Sequence, residues 1–342
     1  MTGHGGPLAR LIKLPPNQPP DRFYLGGELI ESFRSGTPEG RRGLRTPEDW
    51  VGSVTSVAGA DSVGRTVLSD GYSLAESIRA DPIAWLGPEH ERSFGTNARL
   101  LVKLLDAGQR LPVHAHPDDA FSQRHQLGQL GKAEAWYILR GGDVYLGLKS
   151  LVSEEVLLRL VTEQRTDEML RLLHRRRVEP GSVVYVPPGV LHSIGAGVLL
   201  LEVQQPTDLS ILLEWRGFDL DGAKDGHLGL GFARALTAVD TRVHSSSQID
   251  ELVVTSVPGV SVLPRSADPF FRLERHIVGS HGVALDPGFA VLVVPKGDLR
   301  ASSGEALGSG STALLPYRAG PISFAGEGEL LVCRPPLPSL TG

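Results

Sequence analysis

The chain is short of thiols, of long apolar runs and of excess charge of either sign. One cysteine, Cys333, among 342 residues excludes an internal disulfide and a thiolate metal cluster, and makes a reducing cytoplasm the simplest home. The longest apolar stretches, such as 198–203, fall far below the ~20 residues a membrane helix needs. Met1-Thr-Gly-His opens no basic-then-apolar signal segment, so neither spanning nor export is expected. A net charge of -5 from 34 basic and 39 acidic residues is too balanced for nucleic-acid binding, or adsorption to an anionic membrane, as the main activity. A nucleotide-binding glycine fingerprint, a P-loop and a Gly-x-Ser-x-Gly nucleophile turn are also missing.

Turn residues are what the chain has in plenty. Its 41 glycines and 25 prolines are spread widely and without repeat, which predicts many short strands joined by tight turns. At ~150 residues per domain the length suits two domains, or one large β unit with a duplicated core. Residues 34–49 (RSGTPEGRRGLRTPED) show no apolar periodicity and read as a long surface loop. Residues 73–86 read as helical behind a Ser73 cap until Asp81-Pro82 interrupts. Strands are predicted at 98–105, at 135–139 and 144–148 as a hairpin, and at 182–186 and 198–204. Between 153 and 177 the apolar period turns helical behind Ser153, an insertion in a β framework. The polar stretch 235–250 is the expected boundary between residues 1–240 and a second, metal-free β unit over 251–342. His276 and His281 in that unit have no acidic partners at ligand spacing and read as surface or core residues.

The informative stretch is Gly108-Gln-Arg-Leu-Pro-Val-His114-Ala-His116-Pro-Asp118-Asp119. On a strand His114 and His116 point to one face and offer two imidazoles to a divalent ion. Taken alone, the pair reads more readily as two half-exposed strand histidines. The second pattern changes that: Gly181, five residues, then Pro187-Pro188-Gly189-Val-Leu-His192, a strand and turn that deliver a third histidine. Together the two patterns resemble the paired motifs of the cupin superfamily, small β-barrels whose mouths hold a metal on histidines and a glutamate.

The first glutamate on a following strand is Glu134, in Gly131-Lys132-Ala-Glu134-Ala-Trp136-Tyr137. With that segment, the lead-in Leu100-Leu-Val-Lys-Leu-Leu-Asp-Ala, Glu48-Asp-Trp50 and Leu200-Leu-Glu202-Val-Gln204-Gln205-Pro-Thr-Asp208, the chain resembles the class I phosphomannose isomerases. The resemblance implies a mainly β protein of two cupin-like (jelly-roll) barrels with a small helical insertion. It implies one Zn2+ held by His114, His116, Glu134 and His192, with His114 standing where the family has a glutamine. It implies an intramolecular oxidoreductase that interconverts mannose 6-phosphate and fructose 6-phosphate through a cis-enediol. Lys132 and Glu202 are then the candidates for proton transfer, with Asp118 and Asp119 as alternatives or as supports of the loop and the ligands. Two positions depart from the family pattern: its phosphate-holding serine and arginine are replaced by Pro112 and Leu212, and Arg216 is the candidate substitute. The expected partner is a small-molecule sugar or sugar phosphate. An isomerase of another or an unphosphorylated sugar is the second enzymatic reading, and a non-catalytic sugar-binding or regulatory cupin is the reading from a different class.

Overall fold

The computed structural model describes residues 10–36, 44–259 and 261–338; residues 37–43 of the expected loop lie outside these. Three antiparallel sheets organise the chain. The first runs in the order Val253–Thr255, Ser182–Val186, Glu134–Arg140, Leu199–Gln204, Leu101–Asp106, Glu48–Val51. The second runs Ile211–Leu212, His114–Ala115, His192–Ile194, Gly142–Leu148, Leu173–Val178. The third is built around the long strands Ala290–Ala301 and Ile322–Arg334. No helix among the described residues is long and apolar enough to cross a membrane.

Strands of the first sheet are buried along both faces, which is why they read as continuous apolar runs rather than as an alternation. Trp136, Ile138, Val184 and Leu200 pack with Val144, Leu146 and Ile194 of the second sheet. The intervening Tyr137, Val183, Leu201 and Val203 pack with Val291, Leu331 and Cys333 of the third. The first sheet is therefore the middle layer, and its face toward the second sheet carries the polar residues that matter below. A strand shared by two layers fixes those side chains firmly, since a slip of one residue would exchange its faces.

Two local readings are corrected. Strands Glu134–Arg140 and Gly142–Leu148 are not a hairpin: the first pairs with 199–204 and 182–186, the second with 173–178 and 192–194. The chain passes between layers at Gly141, where a Cβ would lie 2.4 Å from the Val178 carbonyl oxygen. The helical insertion also ends early. Glu154–Thr162 and Thr166–Leu172 are helices, but Leu173–Val178 is a strand, buried at its two ends and alternating half-buried with exposed residues between them, a period of two inside a stretch too polar to announce it.

The polar stretch 235–250 is packed against the first unit rather than extended. It holds the buried Leu236 and Val239, and a helix Ser246–Leu252 started by a capping box between Ser245 and Gln248. Val253–Thr255 then adds an edge strand to the first sheet, while Ile12–Lys13 pairs with Thr312–Leu315 of the third. His276 sits 3.0 Å from Glu274, which Arg334 also engages at 2.9 Å. That histidine thus has an acidic partner two residues away, in an ion-pair cluster with an arginine.

Candidate metal centre

His114, His116, Glu134 and His192 converge, their ligating atoms lying within 4.8 Å of one another and all four side chains buried. Strand pairing does this. His114 and His192 are register partners, and Leu212 faces His114 from the other side. Glu134 comes from the adjoining layer, opposite Gln204 and Val186. Gly189 completes the frame: its φ of +85° suits glycine, and its N–H donates to the His116 carbonyl at 2.7 Å. That bond ties the Pro-Pro-Gly turn to the strand of the first two histidines.

The hydrogen bonds set the tautomers. Nδ1 of His114, His116 and His192 lies 2.8 Å from the carbonyl oxygens of Pro112, Leu209 and Val190 respectively. Each Nδ1–H therefore donates to a carbonyl, which leaves the Nε2 lone pairs facing inward, the usual arrangement for an imidazole ligand. His116 Nε2 is then 3.0 Å from Glu134 Oε2, and His192 Nε2 is 3.1 Å from Oε1. Lone pairs facing carboxylate oxygens repel unless a cation stands between them. In keeping with this, His192 Nε2 and Glu134 Oε2 are buried atoms without a hydrogen-bond partner. The donor set of three imidazoles and one carboxylate fits a divalent transition ion such as zinc.

The electrostatics keep the four groups in their ligating forms. Burial, followed by the Lys132 charge, brings His116 down to about 3, and burial with the neighbouring imidazoles holds His114 well below its usual range. Burial pushes Glu134 up, yet Lys132, His116 and His192 hold it well below the usual carboxylate range.

A cleft opens beside the cluster. Lys132 Nζ reaches into it 3.1 Å from Glu134 and 3.2 Å from His116 Nε2. Glu202 lines it from the middle sheet, opposite Lys103 in register, and burial, then the Glu134 charge, raises its carboxyl to about 8. Asp118 and Asp119 do not line the cleft; Asp118 caps the helix Asp119–Arg124, and Asp119 accepts from the Gly131 N–H and Gln205. Arg216 does not line it either. Its side chain is exposed and its N–H donates to Gln164.

Other polar residues of the cleft were not singled out as site residues from the sequence. Arg22 pairs with Glu48 at 3.2 Å and with Asp208 at 3.6 Å. Lys103 lies 3.5 to 3.8 Å from Glu48, Glu202 and Asp208, with its ammonium 4.6 Å from the Trp50 ring centre. Tyr24 and Trp50 each donate to Glu48 at 2.6 Å. The available signal was Lys103 itself: a lysine inside an apolar run can be buried only beside carboxylates.

Fold and cluster together define a mainly β protein of antiparallel sheets with a candidate metal centre of three histidines and a glutamate. No protein-family model matches the chain. It is 29% identical over 326 residues to mannose-6-phosphate isomerase ManA of Bacillus subtilis (strain 168), covering 90% of this chain and 94% of that protein. To mannose-6-phosphate isomerase of Streptococcus mutans it is 28% identical over 310 residues, covering 84% and 90%. In structure it superposes on mannose 6-phosphate isomerase (apo form) from Salmonella typhimurium with a TM-score of 0.73 at 14% identity, covering 96% of this chain and 99% of that one. The Bacillus subtilis mannose 6-phosphate isomerase structure gives 0.65 at 23%, covering 95% and 99%. Along most of its length the chain is similar to proteins named mannose-6-phosphate isomerase.

Proposed function

We propose that this protein is a zinc-dependent aldose-ketose isomerase that interconverts mannose 6-phosphate and fructose 6-phosphate through a cis-enediol. The two β units are read as cupin-like barrels, the first carrying the chemistry and the second, over 251–342, supplying support. The observation that carries the proposal is the set of inward Nε2 lone pairs and the Glu134 carboxylate meeting at one point beside Lys132, in a chain similar to proteins named mannose-6-phosphate isomerase.

His114, His116, Glu134 and His192 would hold the ion. When bound, it supplies a Lewis acid for the oxygen on which negative charge develops. Moving hydrogen between C1 and C2 further needs a group that takes a proton from one carbon and returns it to the other. Lys132 and Glu202 fill these places. The Lys132 ammonium, held beside Glu134, donates hydrogen bonds to the sugar oxygens of the reacting carbons. Glu202 in its carboxylate form, fixed opposite Lys103 on the same face of the middle sheet, takes the proton and, as the acid, returns it. Burial excludes bulk water from both groups. Arg216, outside the cleft, has no part in this scheme.

The test is turnover with defined metal content. Protein stripped by a chelator should not convert mannose 6-phosphate, and one equivalent of zinc should restore conversion. A zinc-loaded protein that binds the sugar phosphate without converting it would instead support the binding cupin.

A further inference from the structure

Residues 131–133, which lead into the strand of Glu134, are buried yet belong to no strand, so their N–H groups need acceptors outside a sheet ladder. Three successive N–H groups find them on the turn after His116 and on one further side chain. Gly131 donates to Asp119 Oδ1 at 2.7 Å, Lys132 to the Pro117 carbonyl at 2.9 Å, and Ala133 to Gln205 Oε1 at 2.8 Å. Gln205 closes the circuit. Its Nε2 donates to the same Asp119 oxygen at 2.8 Å, and its own N–H donates to the Ala133 carbonyl at 3.1 Å. Both ends of one buried amide and two lone pairs of one carboxylate oxygen are used.

Local structure explains the meeting. Asp118 caps the helix Asp119–Arg124, which places Asp119 in its first turn, and Gln205 follows Gln204, the register partner of Glu134. Gly131 lets the two segments touch, since a Cβ there would lie 2.3 Å from the Pro117 carbonyl oxygen. We infer that Gln205 and Asp119 are positioning residues: they clamp the segment carrying Lys132 and Glu134 to the turn that follows His116, and so set the ammonium and the carboxylate against the imidazoles. A displacement of about 1 Å at such a site can cost about 10²-fold in rate. Neither side chain lines the cleft, so the clamp acts on metal retention and on kcat rather than on the hold on sugar. The effect on kcat rests on the isomerase reading; the effect on metal does not.

The experiment measures, on the full chain, the zinc Kd by competition with a chromophoric chelator, and kcat and KM of the zinc-loaded protein with mannose 6-phosphate. Gln205→Leu and Asp119→Ala should each raise the zinc Kd and lower kcat by about 10- to 100-fold, with KM held within about threefold. The double variant should be no worse than the poorer single one, because both side chains act through one network. Asp119→Asn, which keeps an accepting oxygen, should recover most of both losses. A wild-type zinc Kd or a wild-type kcat in Gln205→Leu or Asp119→Ala overturns the inference, as does a double variant whose loss is the product of the two single losses. If Gln205→Leu does not fold, Asp119→Ala, at a half-buried position, decides. A wild-type chain that turns over no sugar, with the zinc Kd shifted as stated in the variants, would overturn the isomerase reading and leave the clamp standing.

Discussion

Each imidazole of the cluster is held by its own backbone carbonyl, so removal of one leaves the other three ligands in place. His116→Ala and His192→Ala are expected to drop zinc from about one per chain to a small fraction after dialysis, with circular dichroism unchanged, because three ligands hold the ion far less tightly than four. Metal analysis of wild type and both variants checks this; equal zinc in all three would place the ion elsewhere. Lys132→Met should cut turnover by about 10²-fold or more while zinc is retained, the scale on which a positioned acid-base group acts. Unchanged kcat would remove Lys132 from the chemistry. These residues were legible because their spacing is local: His-x-His, Lys-x-Glu and Pro-x-Gly-x-x-His each fit within one strand or turn. The meeting of Lys103, Glu48 and Glu202 was not, because only the register of strands 48–51, 101–106 and 199–204 brings them together, and Arg22 joins them from outside those strands. Arg216 was misplaced for the same reason: its position follows from the turn after Ile211–Leu212, which leaves the side chain outside.

At the level of elements, a polar contact ties the middle sheet to the third beside their apolar packing. The Tyr137 hydroxyl on strand 134–140 donates to Glu329 on strand 322–334, and Arg275 holds the same carboxylate at 3.0 Å. Tyr137→Phe removes the donor but leaves Arg275, so it should cost about 1–2 kcal/mol in urea unfolding, as for one charged hydrogen bond. Glu329→Gln, which also weakens the grip on Arg275, should cost more. A Tyr137→Phe chain of wild-type stability would show that the contact contributes nothing to the packing of the sheets. The strand at 182–186 followed from a continuous apolar run and the helix at 154–162 from its periodicity. The false hairpin at 140–143 arose because a glycine pair signals a turn equally well when the chain bends between sheets. The strand at 173–178 was hidden because three successive arginines mask an alternation that only the neighbouring strand 142–148 makes visible.

For the molecule as a whole, the charge network inside the first unit makes stability depend on pH. Burial pushes the Glu48 carboxyl up, but Arg22, Lys103 and the hydrogen bonds from Tyr24 and Trp50 hold it well below its ordinary value of 4.5. A carboxyl depressed on folding contributes stability that is fully present above its unfolded value and is lost as pH falls through the folded one. Urea midpoints should therefore decline from about pH 4.5 downward, and Glu48→Gln should flatten that decline while costing about 3–5 kcal/mol at neutral pH, since it leaves Arg22 and Lys103 short of a partner. A variant with the wild-type acid slope would place the sensitivity in other carboxylates.

The account as a whole turns on proton movement within one cleft, and solvent deuterium reads it directly. Zinc-loaded protein incubated with mannose 6-phosphate in D2O should, by NMR, form fructose 6-phosphate and place deuterium at C1 of the product and C2 of the recovered substrate, because a proton held on an enzyme group exchanges in at least some turnovers. Binding of the sugar phosphate with neither product nor deuterium at C1 or C2, for this sugar and for mannose alike, would contradict it.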